Sequence, residues 1–127
     1  MPIHYSFDPD HGRLITRADG IVTFHEINAH LDMEQRKRDL ELPELVDARG
    51  ATTDLTAAQV RRLVDRATKM LRVVALGATA VVTTDPALFG LARMYATLAE
   101  RSGVWTAVFH DVDTASRWLE QFTPEAD

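Results

Sequence analysis

The chain has 127 residues, with 14 lysine and arginine residues against 19 aspartate and glutamate residues, and a net charge of −5 at pH 7. This length suits one domain with its own hydrophobic core, and the negative charge argues against a nucleic-acid partner, because phosphate binding requires a concentrated positive field. Cysteine is absent, so disulfide bonds and thiolate metal sites are excluded.

The distribution of apolar residues argues against a membrane protein. No uncharged apolar stretch approaches the ~20 residues of a membrane-spanning helix, and the amino terminus lacks a basic head followed by an apolar run. The expected location is therefore the cytoplasm, with no integral membrane segment.

The amino-terminal segment predicts an antiparallel β-hairpin. Ile3, Tyr5 and Phe7 alternate with polar residues, residues 8–12 supply turn chemistry, and a second strand follows them. Asp19-Gly20 predicts a turn or bulge near the end of that second strand.

A first helix is predicted to begin after the hairpin. Thr23 and Glu26 have the spacing of a capping box, in which two side chains satisfy backbone groups at a helix start. Apolar residues at helical spacing follow at Phe24, Ile27 and Leu31. The charged run at residues 34–39 is expected to lie at the end of this helix and to face solvent.

The segment at residues 45–59 predicts the central strand and helix. Leu45-Val46 has the character of a short buried strand, and residues 47–50 predict a polar turn. Thr56 and Gln59 form a second capping pair. One face of the helix that follows is apolar: Val60, Leu63, Val64, Ala67 and Leu71.

Two further units repeat the order of strand and helix. Residues 80–83 and 104–109 predict strands, and Asp85-Pro86 predicts a capped helix start. The apolar stripe of the third helix is Leu88, Leu91, Ala92, Tyr95, Leu98 and Ala99. That of the fourth is Ala115, Trp118, Leu119 and Phe122. The tail at residues 123–127 is expected to be frayed.

The predicted fold class is α/β in a single domain. An N-terminal antiparallel hairpin is followed by β-α units, which gives a five-stranded mixed sheet with four helices whose later strands are parallel.

The chain resembles a known bacterial group in its element order and in three short segments. The first two segments are Asp47-Ala48-Arg49-Gly50 and residues 89–95 (FGLARMY). The third runs from Val108 to Leu119 and contains VFHD at residues 108–111, Ala115, and Trp118-Leu119. Over residues 1–122 the chain resembles the SpoIIAA-like proteins of the STAS superfamily, the anti-sigma-factor-antagonist-like domains also described as STAS/SEC14-like. The resemblance implies a domain that binds other proteins, and some members carry nucleotides or hydrophobic ligands.

The resemblance also identifies Thr56 as a candidate phosphoacceptor. In the antagonists of this group an aspartate precedes a phosphorylated serine at a helix start, and this chain has Leu55 and Thr56 at those positions. A phosphate there would meet free backbone donors and the positive end of the helix dipole. The alternative is that Thr56 acts only as an N-cap. Because the aspartate is replaced, the family role is carried over as an interaction module.

A ligand site is predicted at the carboxyl edge of the sheet, where parallel strands end and helices begin. The candidate rim consists of Asp47, Arg49, Thr84, Asp85, His110 and Asp111. A small apolar or anionic molecule bound there would require a cavity of ~300 Å³ or more. The other interpretation is that Thr84, Asp85 and Asp113 cap helices while Arg49 pairs with Asp47. A weaker hypothesis is a hydrolase or lyase that uses His110 and Asp111, although no nucleophile or phosphate loop accompanies them.

Two further patterns concern metal binding and interaction surfaces. Glu26, His30 and Glu34 share one helical face at metal-ligand spacing, but a solvated face is the favoured interpretation, so no metal or cofactor is predicted. Basic residues on the second helix and apolar residues off the stripe of the third predict a contact surface. Its candidate residues are Arg62, Arg66, Phe89 and Met94.

The sequence thus predicts a non-enzymatic regulatory or protein-interaction module, with a protein partner or a homodimer. The alternative is a domain that binds a small or lipid-like molecule.

Overall fold

The computed structural model describes residues 3–122, and the predicted tail at 123–127 lies outside them. Nine elements follow one another in the predicted order. They are β1 (Ile3–Asp8), β2 (Arg13–Val22), α1 (Phe24–Arg36), β3 (Glu44–Thr53), α2 (Ala57–Met70), β4 (Thr79–Val82), α3 (Pro86–Glu100), β5 (Thr106–Phe109) and α4 (Val112–Glu120).

The strands form one sheet whose spatial order is the same as the chain order, β1-β2-β3-β4-β5. β1 and β2 pair antiparallel, and the other neighbours pair parallel. The predicted five-stranded mixed sheet with four helices is confirmed. Among the described residues, no helix is both long and apolar enough to cross a membrane.

The apolar side chains divide between the two faces of the sheet. On one face, Leu45, Ala80 and Val82 pack with Ala115 and Leu119 of α4. The other face carries a second cluster, Ala18, Val22, Ala48 and Ala51, against which Ile27 of α1 and Leu88 of α3 pack. Helices α1, α2 and α3 therefore cover one face, and α4 covers part of the other.

Strand β3 is longer than its sequence pattern predicts. The predicted polar turn at residues 47–50 is wrong, because the strand continues to Thr53 and pairs with β2 as far as Val22. The register between β2 and β3 shifts between Arg17 and Asp19, because β2 advances two residues there while β3 advances three. A bulge therefore lies beside Asp19 as predicted, but its extra residue belongs to β3, and β2 does not end there but continues to Val22. Pairing with β2 continues past this bulge, and the extra residue lets both Ala48 and Ala51 be buried while Arg49 and Gly50 between them are exposed.

Helix starts are predicted well by local capping patterns. Thr23 accepts from the backbone N–H of Glu26, and Asp85 accepts from that of Leu88. α4 begins differently from the prediction: Asp111 is its N-cap, and Asp113 lies in its first turn.

Candidate functional site

A cavity of about 230 Å³ lies between the sheet and the three helices α1, α2 and α3. Its wall is mostly apolar. The sheet contributes Ala18, Val46, Ala48 and Val81, and the helices contribute Ile27, Leu31, Val60, Leu63, Leu88 and Leu91. This volume lies just below the ~300–1,000 Å³ of typical ligand pockets, and it suits a compact molecule.

Four of the six residues in the apolar stripe predicted on α3 face this cavity. Leu88, Leu91, Ala92 and Tyr95 line it and are half-buried, whereas Ala99, farther along the helix, is fully buried. A space is therefore left between this part of α3 and the sheet, whereas protein interiors are usually closely packed.

One end of the cavity is polar and contains a triad of His30, Glu34 and Glu44. His30 Nε2 lies 3.1 Å from Glu34 Oε1 and 3.0 Å from Glu44 Oε2. Glu34 is only 2% exposed, and Glu44 is also buried. Thr16, buried on β2, donates a hydrogen bond to Glu44 Oε2. The rings of Tyr5 and His30 are nearly perpendicular, with their centroids 5.2 Å apart.

The triad lies at the amino ends of the parallel strands. Glu44 is the first residue of β3, and Thr79 and Thr106, the first residues of β4 and β5, line the same cavity. A smaller cavity of about 60 Å³ also borders Glu34 and Glu44. The buried polar groups are thus at the opposite end of the sheet from the predicted ligand rim.

The three groups of the triad influence one another's protonation. Burial would lower the pKa of His30, but its hydrogen bonds to the two carboxylates and their negative charges prevail and raise the pKa to about 10. Burial raises the pKa of Glu34 to about 7, against the opposing effect of His30. Burial would likewise raise the pKa of Glu44, but the hydrogen bond and charge of His30, helped by Thr16, lower it. The triad therefore holds an imidazolium between two unequal carboxyl groups.

The expected solvated face of α1 is wrong at Glu34, because this residue is buried. His30 and Glu34 do share a helical face as predicted, but the third member of the cluster is Glu44, not Glu26. Glu26 lies at the start of α1, where it accepts a hydrogen bond from the Thr23 hydroxyl. No helical spacing could have indicated Glu44, since it lies on another element.

Asp47 and Arg49 of the predicted rim bind each other. Arg49 Nε donates to Asp47 Oδ1 at 2.9 Å and Nη2 donates to Oδ2 at 2.8 Å, which lowers the pKa of Asp47. Because Val46 and Ala48 face the cavity, the alternating Asp47 and Arg49 side chains lie on the opposite face of the sheet.

The other rim residues lie around the starts of α3 and α4. Asp85 and Asp111 are N-caps, and Thr84 is exposed. The His110 ring stacks on Phe89 at a centroid distance of 4.3 Å. Within residues 3–122, none of the six rim residues lines the 230 Å³ cavity. Their joint role as a ligand rim stays a prediction.

Thr56 is the N-cap of α2 in a complete capping box with Gln59. The Thr56 hydroxyl accepts from the Gln59 backbone N–H, and the Gln59 side chain accepts from the Thr56 N–H. Thr56 is exposed, so both interpretations of this residue, as a cap and as a phosphoacceptor, remain compatible with its position.

The predicted contact residues of α2 bind α1. Arg66 Nη2 lies 2.6 Å from Asp32 Oδ1, and its Nη1 donates to the Asn28 side chain at 2.8 Å. The Arg62 guanidinium lies over the Phe24 ring, 5.1 Å from its centroid. These contacts hold α1 beside α2 over the cavity.

The fold is similar to that of an uncharacterized protein of the DUF3478 family from Shewanella loihica PV-4, described as having a SpoIIAA-like fold. The similarity covers 92% of this chain and 91% of that chain, with a TM-score of 0.57 and 15% sequence identity. At this identity the likeness shows the fold alone, and it confirms the SpoIIAA-like fold predicted from the sequence. No protein-family model and no curated protein matches the chain.

Proposed function

We propose that the protein is a non-enzymatic binding protein that holds a compact, mainly apolar small molecule between its sheet and helices α1, α2 and α3. The cavity of about 230 Å³ carries this proposal. It combines an apolar wall with a few polar groups at one end, which is the usual composition of a small-molecule site.

The cavity also has the size of known apolar ligand sites. An engineered apolar cavity of about 150 Å³ stays dry and binds benzene. The larger space here accepts a single aromatic ring or a short alkyl chain. Its hydrogen-bonding end, at His30 and Glu34, would take a polar head group such as a hydroxyl.

Indole and n-hexanol are suitable probes for testing this proposal by NMR. We expect saturable shifts in the backbone amides of residues around the cavity, such as Ala48, Val81 and Tyr95. Ala92→Leu should weaken the binding of both probes at least about tenfold, because the added methyl groups occupy the cavity. Native mass spectrometry of protein purified from its own cells would then identify the natural ligand.

Ala87→Leu is the matched control, since Ala87 is exposed on the same helix while Ala92 lines the cavity. It should bind both probes as the unmodified protein does. The proposal fails if neither probe gives saturable shifts, or if Ala92→Leu binds them with unchanged affinity.

A protein-interaction module is the second candidate function, and the surface of α3 favours it. Phe89, Met94 and Leu98 are only half-buried, and the adjoining β5 is an edge strand. A groove lined by Phe89, Arg93 and Val108 runs between the helix and this edge. Apolar side chains beside an unpaired strand edge are features of a surface that joins two copies of a chain.

Light scattering coupled to size-exclusion chromatography tests self-association through α3. We expect a dimer at micromolar concentrations, and a monomer after Met94→Lys, because a charge would be buried in the contact. Ala87→Lys adds the same charge at an exposed position of α3 outside the groove, and it should stay dimeric. A monomeric unmodified protein at all concentrations would exclude this function for the α3 surface.

A further inference from the structure

The side chains of the buried triad present three metal-ligand atoms to one point. Nε2 of His30 and one carboxylate oxygen each of Glu34 and Glu44 all lie within 4.8 Å of one another. They come from two elements, since His30 and Glu34 are one turn apart on α1 and Glu44 begins β3. The arrangement is therefore fixed by the packing of α1 against the sheet.

Two of the three separations between these atoms match a coordination sphere. Ligands at about 2.1 Å from a divalent ion, at right angles to one another, are separated by roughly 3.0 Å. His30 Nε2 lies 3.1 Å from Glu34 Oε1 and 3.0 Å from Glu44 Oε2. An ion bound between these atoms would replace the proton that Nε2 shares with the two carboxylates.

The charges of the triad also favour a divalent cation. Within residues 3–122, no lysine or arginine forms an ion pair with Glu34 or Glu44. When both carboxyl groups are ionised, the imidazolium balances only one of them and a buried negative charge is left. A divalent ion with a neutral imidazole balances both carboxylates.

The surroundings of the triad resemble those of a metal site with free coordination positions. The Thr16 hydroxyl donates to the Glu44 oxygen nearest His30, and such outer contacts orient metal ligands. All three triad residues line the 230 Å³ cavity. An ion there would have three protein ligands and further positions open to water or to a bound molecule.

We propose that His30, Glu34 and Glu44 bind one divalent first-row transition-metal ion. One imidazole with two carboxylates, and no thiolate, suits Zn²⁺, Fe²⁺ or Mn²⁺. Metal binding at this site does not require an apolar ligand in the cavity. The metal site and the small-molecule site can therefore be tested independently.

Titration of metal-stripped, tag-free protein with Co²⁺ tests the site, because bound Co²⁺ has visible absorption bands that report its ligands. We expect the bands to saturate at one Co²⁺ per chain and to disappear when Zn²⁺ is added. Glu34→Gln and Glu44→Gln should each weaken Co²⁺ binding at least about tenfold, because each removes a carboxylate ligand. Circular dichroism establishes that both variants are folded.

His25→Gln is the control, since His25 is exposed on the same helix. It should bind Co²⁺ like the unmodified protein. The proposal is overturned if the unmodified protein shows no saturable bands, in which case the triad is only an ion-paired cluster. It is also overturned if the bands persist unchanged in folded Glu34→Gln and Glu44→Gln.

Discussion

Replacing His30 with alanine is expected to lower the free energy of unfolding by about 3–5 kcal/mol at pH 7, because two buried carboxyl groups lose their cationic partner. His30 contacts Glu34 at 3.1 Å and Glu44 at 3.0 Å, and its side chain is 12% exposed. Urea unfolding with a chelator present measures the effect in the metal-free protein.

His25→Ala provides the comparison, because His25 is exposed on the same helix. This substitution should change the free energy of unfolding by less than about 0.5 kcal/mol. A His30→Ala protein as stable as His25→Ala would show that the triad is not a buried ion-paired cluster.

The same triad predicts how stability depends on pH. The pKa of His30 is raised to about 10 in the folded protein, above the ~6.5 of a histidine in an unfolded chain. The stabilising effect of the His30 charge on the folded state is therefore complete below pH ~6.5 and is lost as pH rises through 10. Between pH 7 and 9 the metal-free protein should lose up to about 1.4 kcal/mol per pH unit.

His30→Gln should remove most of this slope. The groups around His30 have pKa values at the lower limit of the interval from pH 7 to 9 or outside it, so they do not account for the loss of stability across it. The pKa of Glu34 is raised only to about 7, that of Glu44 is lowered, and that of Tyr5 is raised to about 12. An equal slope in His30→Gln would assign the pH dependence to other groups.

Gly77→Ala is expected to destabilise the protein by about 3 kcal/mol or more, because its new methyl group has no room. A Cβ atom at Gly77 would lie 2.1 Å from the carbonyl oxygen of Leu42 and 2.4 Å from its carbonyl carbon. The Gly77 N–H donates to Leu40 O at 2.8 Å, and the Glu44 N–H donates to Ala78 O at 2.8 Å. The clashing backbone is therefore held on both sides. Thermal and urea unfolding measure the loss.

Gly90→Ala is the matched control. A Cβ atom there meets nothing within 4 Å, and Gly90 lies inside α3, where alanine should stabilise the helix by about 0.5–1 kcal/mol. If Gly77→Ala and Gly90→Ala change stability in the same direction, the close approach at Leu42 does not constrain the fold.

The fold was predictable where local patterns determine structure. Capping residues such as Thr56 and Asp85 placed two helix starts, because a cap acts within one turn. The length of β3 was not predictable, since Asp47, Arg49 and Gly50 have the composition of a turn. They lie in a strand because pairing with β2, a contact between distant segments, extends it.

The sequence indicated only part of the candidate site. The four-residue spacing of His30 and Glu34 indicated a shared helical face. Glu34 opens a run of charged residues, so composition predicted a solvated position. Glu44 precedes Val46 by two residues, and this alternation was the available signal that it faces the helices. Only the packing of α1 against the sheet brings Glu44 to His30.

The identity of strand order and chain order has a consequence for biosynthesis. Each strand that leaves the ribosome joins the edge of a sheet already present, so no strand must later insert between two others. Within residues 3–122, the helix that covers the face with Leu45, Ala80 and Val82 is α4, the last helix of this range. A nascent chain therefore exposes an apolar sheet face until Val112–Glu120 has been made. Early termination of synthesis before this helix would release a chain prone to aggregate.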